Sequence, residues 1–218
     1  ETLDFVSGTQ LTNEYIYSIC FRNQEEKIGR ALDSILSQKG DIDFGIAIVD
    51  DNSTDESSRV ILEKLENSSV DFTLVKNKKR RFASRNFYNI INLIASNRDS
   101  VLIELDGDDY LADNEVLLAV HGAYSAGAQK TNGSFSVYPD LKSQAAQDIF
   151  DKHEFMDYSR PWSIQHCNSW LPLRSTKVGI LQDITLDYFL NRHNNNWLPD
   201  RHDAITQSRA IEIAGEEN

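Results

Sequence analysis

Only two cysteines occur in 218 residues, Cys20 and Cys167, far apart and at no metal-ligand spacing. A disulfide framework and a zinc module are thereby excluded. Basic residues are scarce as well, with 22 Lys and Arg against 34 Asp and Glu and a net charge of -12. A nucleic-acid binder needs a basic footprint over much of one face, and polybasic attachment to an anionic membrane needs a cationic cluster. No apolar run approaches the roughly 18 residues that a spanning helix needs, and no charged-apolar-small leader opens the chain. Internal repeats are absent, as is any linker long enough to separate two domains. At 40% hydrophobic and 26% charged residues the composition is ordinary for a globular chain. The expectation is a soluble, acidic, cytoplasmic single domain that binds no nucleic acid and inserts into no membrane.

What is present alternates between two periods. Residues 1–14 show neither and read as a tail. Residues 15–20 (YIYSIC) form a β-branched and aromatic strand. Over 24–38, Ile28, Ala31, Leu32, Ile35 and Leu36 trace one helical face, with Gly40 to end it. The apolar run 44–49 (FGIAIV) reads as a strand buried on both faces. Ser53 with Glu56 predicts a capping box for a helix through about residue 65. A strand at 72–75 follows, then a helix over 82–95 carrying Phe87, Ile90, Ile91 and Ile94, then a strand at 101–105 (VLIEL). Helices fit 114–126 and 201–214, with a further strand at 134–138. Strands alternating with helices of this length imply an α/β fold, an α/β/α sandwich around a mostly parallel sheet. Right-handed crossovers put the strand carboxyl ends on one edge, where ligands bind.

Two acidic clusters fall on that edge. Asp50 and Asp51 end one predicted strand, and Asp106, Asp108 and Asp109 follow another. Asp-Asn-Ser after Asp50 also makes good turns. Three carboxylates within four residues repel one another unless a cation sits among them. With oxygen ligands and no Cys or His beside them, that cation would be Mg²⁺ or Mn²⁺.

Taken in order, SICFRNQEEKIGRALDSILSQ, IAIVDDNSTDES, FASRN and LIELDGDDYL resemble the nucleotide-binding half of family 2 glycosyltransferases of the GT-A fold. The match runs over 15–111, which would be the nucleotide-sugar half, leaving 112–218 for the acceptor. The resemblance implies a Rossmann-like sandwich that transfers a sugar from a nucleotide diphosphate, a UDP-sugar in the first instance, to a glycan or other hydroxyl acceptor. It implies donor contacts from Phe21, Arg22, Asn23, Glu25, Asp51, Arg85, Asn86, Asp106, Gly107 and Asp108, with Asp51 on the base. Asp108 and Asp109 would hold Mn²⁺ or Mg²⁺. One position departs: Arg22 stands where a base-stacking tyrosine is usual, so either Phe21 or Arg22 would supply the flat face.

The basic run Lys76-Asn77-Lys78-Lys79-Arg80-Arg81 is a solvated loop or a border to the diphosphate, and Arg85 is the better phosphate ligand. Trp162, Trp170 and Trp197 are core residues by default, since large aromatics mostly pack. In RPWSIQHCNSWLPLRST the family resemblance points to Trp170 and Arg174 on the acceptor side. His166 and His202 are more often structural than functional. The segment DAITQSRAIEIAG resembles a stretch in which an Asp opens a helix, making Asp203 the general base; the alternative is a plain helix cap by Asp203 or Asp200. Ile205, Ser208 and Ile211 are expected to share one face of that helix. Two rival functions fit the sequence less well. A nucleotidyltransferase usually has a Gly-rich phosphate loop, which CFRNQEEKIG lacks. A receiver-type regulatory domain wants its acidic pair after the first strand and a lysine at a late strand end.

Overall fold

The computed structural model describes residues 5–133, 173–199 and 202–214. Among them, β2 (Tyr15–Phe21), β3 (Phe44–Asp50), β4 (Asp71–Lys76) and β5 (Val101–Glu104) form the parallel centre of a sheet. Three antiparallel strands flank it: β1 (Phe5–Ser7) on β4, β7 (Arg174–Lys177) on β5, and β6 (Lys130–Asn132) on β7. The order across the sheet is β1-β4-β3-β2-β5-β7-β6. The opening segment, expected as a tail, therefore contributes an edge strand. Further along it, Leu11 is buried and bridges Ala95.

Side chains alternate across the sheet, as period 2 requires. Tyr15, Tyr17, Ile19 and Phe21 of β2, with Ile46 and Ile48 of β3, face a core closed by α1 (Ile28–Leu36), α2 (Ser57–Leu65) and α4 (Val116–Ser125). Ile16, Ala47, Val49 and Leu102 face the opposite core. That face is covered by α3 (Ala83–Asn89), α5 (Val178–Gln182) and α6 (His202–Ala214). Each fully buried Ile or Leu here contributes about 1.5–3 kcal/mol. Order and helix placement make the fold doubly wound, with its switch point between β2 and β5.

Several element ends differ from the sequence reading, each for a local reason. Residues 24–27 make a turn instead of the first turn of α1, with Ile28 N–H donating to the Gln24 carbonyl. Helix α1 stops at Leu36, and Gly40 (φ 98°) lies in the loop beyond. The Ser53–Glu56 capping box does not form. Asp50 instead receives Ser53 N–H at 2.7 Å and the Ser58 hydroxyl at 2.5 Å, while Asp55 receives Ser57 N–H. A buried carboxylate at the strand end outcompetes a hydroxyl for those donors. Helix α3 widens into a π turn over Ile90–Ile94, where Gln182 Nε2 donates to the carbonyls of Ile91 and Ala95. On α6 the buried residues are Thr206, Gln207, Ser208 and Ala210, while Ile205 and Ile211 are only half-buried. The strand expected at 134–138 lies outside the described residues.

Candidate active site

Parallel pairing of β2 and β3 sets Phe21 beside Asp50, and Asp51 N–H donates to the Phe21 carbonyl at 2.8 Å. Asp51 is the hub of the basic loop. Its Oδ1 accepts from Arg81 N–H (2.7 Å) and Asn77 Nδ2 (3.0 Å), and its Oδ2 from Phe82 N–H (3.0 Å). An ionised carboxylate offers about four acceptor positions, so one is left on Oδ2. Arg80 Nε lies 3.9 Å from that oxygen. Asn77 also donates to Asn86 Oδ1 at 2.8 Å. Asn86, at 1% exposure, supports the loop through this bond. Phe82 takes φ 66° and ψ 166°, a region left almost wholly to glycine and costing about 1–3 kcal/mol.

The acidic turn sits on Phe21. A Cβ added to Gly107 would stand 2.6 Å from Phe21 Cβ, so only glycine lets the turn close here. Phe21 is itself 6% exposed and part of the core, which removes it as a flat face for a base. Arg22 is exposed beside it. Asn23, at φ 53°, accepts Thr54 N–H and donates its own N–H to Ser53 Oγ, while Glu25 Oε2 accepts Glu56 N–H. These residues join the β2–α1 loop to the β3–α2 loop.

Asp106, Asp108 and Asp109 are exposed, and Asp109 N–H closes the turn on the Asp106 carbonyl at 3.0 Å. Lys27 Nζ is 3.5 Å from Asp108 Oδ2. Desolvation, and then the charges of Asp106 and Asp108, push the Asp109 carboxyl above its usual range, against Arg174 and Lys27. Among the described residues no three His, Cys, Asp or Glu side chains stand together as a metal cage. Mg²⁺-type sites commonly use only one or two carboxylates and take the rest from substrate phosphates and water. The crowded charge at Asp109 fits that kind of site.

Across the switch point lies a buried polar cluster. Glu104 and Arg174 are register partners on β5 and β7, 4% and 6% exposed. Gln207 Nε2 donates to Glu104 Oε1 at 2.8 Å, and His202 Nε2 is 3.7 Å from Oε2. His202 packs its ring on Phe87. Arg174 Nη1 is 3.7 Å from Asp203 Oδ2. Burial works against the Arg174 charge, but Glu104, Asp106 and Asp203 outweigh it and hold the guanidinium above its usual range. Lys130 Nζ donates to Asn132 Oδ1 at 2.6 Å. Burial pushes that ammonium down to about 7, Glu104 pulling the other way and Arg174 adding to the fall. Asp203, in the first turn of α6, has a side chain 37% exposed, with Oδ1 on Ala204 N–H at 2.8 Å.

Arg85 is half-buried, its guanidinium 5.3 Å from the Trp197 ring centre, and burial lowers its pKa. Trp197 packs against Tyr88. Trp162, Trp170, His166, Cys167 and Asp200 lie outside the described residues. Sequence reasoning passed over Glu104, although a carboxylate inside the apolar run VLIEL was its signal. It also missed Asn77, Phe82 and Gln207, which carry none.

Residues 18–177 match the family described as Glycosyl transferase family 2. No curated protein matches by sequence. Among solved structures, S. aureus TarS 1-349 in complex with UDP-GlcNAc is similar at TM-score 0.65 and 16% identity, over 90% of this chain and 53% of that one. The mannosyltransferase PcManGT from Pyrobaculum calidifontis, in complex with GDP-Man and Mn²⁺, gives TM-score 0.59 and 16% identity, over 84% of this chain and 50% of that one. The chain thus spans about half the length of these proteins. At such identity the likeness establishes the fold, which is that of the GT-A glycosyltransferases.

Proposed function

The chain belongs to glycosyl transferase family 2, and on that footing we propose that it moves a sugar from a nucleotide-diphosphate sugar, a UDP-sugar in the first instance, to a hydroxyl of a glycan or similar acceptor. One observation carries the reading. Arg174 spans the two carboxylate sets of the sheet edge, 3.7 Å from Asp203 and within the field of Asp106. One guanidinium thus links the acidic turn to a carboxylate outside it.

The transfer is a single displacement with inversion. The acceptor oxygen attacks the anomeric carbon while its proton passes to Asp203, and the nucleoside diphosphate leaves with the electrons of the broken C–O bond. Asp203 suits the base because it stands outside the acidic turn and keeps part of its carboxylate exposed. Asp108 and Asp109 would hold Mn²⁺ or Mg²⁺, which when bound neutralises the diphosphate charge and stabilises the leaving group. Asp106 and Gly107 would contact the nucleotide-sugar, and Arg85 would grip the diphosphate from α3.

Two donor complexes among the similar folds support a nucleotide-sugar, UDP-GlcNAc in one and GDP-Man with Mn²⁺ in the other. Among the described residues no helix is long and apolar enough to cross a membrane. The test is a donor-hydrolysis and transfer screen with several UDP- and GDP-sugars, with Mn²⁺ and with chelator. Release of nucleoside diphosphate from one donor, abolished by chelator, is the expected outcome; no turnover of any donor would remove the reading.

A further inference from the structure

We propose that Phe82 is the face on which the donor's nucleobase stacks. This inference rests on the nucleotide-sugar reading above and adds to it the residue that holds the base. A base needs a flat, partly apolar platform at the sheet edge. Phe21 cannot provide one, because its ring is buried in the core beneath Gly107. Phe82 can. At 39% exposure it is one of few large hydrophobic residues so placed among the described residues.

The exposure is imposed by the fold. Phe82 N–H donates to Asp51 Oδ2, and the Phe82 carbonyl accepts from Asn86 N–H at 3.2 Å. Between those two bonds the backbone is fixed at φ 66°, where a bulky side chain is disfavoured and glycine is at home. Strain of this kind persists where surroundings over-determine it, and it clusters at ligand clamps. Phe82 belongs to neither core cluster, so little core packing offsets it.

Position and chemistry agree with a base. Asp51 follows the carboxyl end of β3 and is bonded to Phe21, which underlies the acidic turn. Phe82 therefore lies on the same edge as Asp106–Asp109 but on the β3 and β4 side, one helical turn from Arg85 of α3. The Arg80 guanidinium sits 4.5 Å from the ring centre, backing the aromatic face with positive charge. The acceptor position left on Asp51 Oδ2 is next to the Phe82 backbone, within reach of an N–H on the edge of a stacked base.

Titrations of the full chain with UDP, GDP and pyrophosphate in the presence of Mn²⁺ test this, comparing wild type, Phe82→Gly and Phe82→Trp, with a melting curve for each. Phe82→Gly should melt no lower than wild type, since glycine adopts this backbone without steric cost. It should lose about 5- to 100-fold in affinity for the nucleoside diphosphate that wild type binds, the range for one base–aromatic stack, and keep its pyrophosphate affinity. Phe82→Trp should restore nucleoside diphosphate binding. Unchanged affinity in Phe82→Gly, or equal losses for nucleoside diphosphate and pyrophosphate, would overturn the assignment. If folded wild-type protein binds neither UDP nor GDP, the donor reading itself fails and the inference falls with it.

Discussion

Glu104 and Arg174 face each other across β5 and β7, both nearly withdrawn from solvent, with Nε 3.4 Å from Oε2. The pair ties the strand that leads into the acidic turn to its antiparallel neighbour β7. Removing one member leaves the other charge buried, which costs about 3–5 kcal/mol in comparable pairs. Glu104→Ala should therefore lower unfolding free energy strongly in urea denaturation. Glu104→Met combined with Arg174→Met should cost less than the two single changes summed, because neighbouring sites couple. Simple additivity would count against the pair as a unit.

Gly107→Ala tests the seat of the acidic turn. Its new Cβ would meet Phe21 Cβ at 2.6 Å, an atom fixed to the β2 backbone. The turn must shift, at a cost of about 1–3 kcal/mol. Donor affinity should fall together with the melting temperature. A variant that binds donor as wild type does would mean the turn can move without consequence.

Asp108→Asn and Asp109→Asn should each weaken nucleoside diphosphate binding in Mn²⁺ and have little effect in chelator, measured by calorimetry. A pH dependence follows from the raised Asp109 carboxyl. The folded state holds this proton more tightly than the unfolded chain, so stability from this group is greatest at low pH and falls as pH rises through the folded value. Cation binding runs the other way, since the ligand must be deprotonated. Donor affinity in Mn²⁺ should thus drop on acidification at a pH above the ordinary aspartate range, and Asp109→Asn should remove that drop.

Asp203→Asn keeps the shape and most of the local hydrogen bonding but removes basicity. Transfer should fall by ~10²-fold or more, the range for loss of a general base, while donor binding and melting temperature barely change. Near wild-type transfer would place the base elsewhere, with Asp200 next and then Glu212. Glu212 is the weaker candidate, since it pairs with Arg209.

Arg85→Ala should weaken diphosphate binding more than Lys78→Ala or Lys79→Ala does. A positioned arginine gains about 1.5–3 kcal/mol per charged hydrogen bond, whereas exposed lysines give salt-screened attraction. Stacking on Trp197 and partial burial already restrain the Arg85 side chain. Competition with pyrophosphate at two ionic strengths would order the three variants, and a larger loss for Lys78→Ala would reverse the assignment.

The alternating strands, the helical faces and the acidic turn at a strand end were legible in the sequence because each is local. Ile46, Ala47, Ile48 and Val49 are buried on both faces whatever lies next to their strand, and Asp106, Asp108 and Asp109 are neighbours along the chain itself. Partners distant in sequence were not legible. Glu104 reads as an interruption in VLIEL until strand order sets β7 beside β5 and brings Arg174 to it. Ser53 and Glu56 satisfied a local capping rule, but the buried Asp50 and the half-buried Asp55 took the donors of that turn. Phe82 was unreadable because its backbone angle is fixed by Asp51, which reaches it only once β3 and the basic loop have packed. Local periodicity follows from which side of an element meets the core, and one stretch of chain carries that information. Hydrogen-bond and charge partners depend on which groups become neighbours in space, and for Glu104 and Arg174 the order of the sheet decided it.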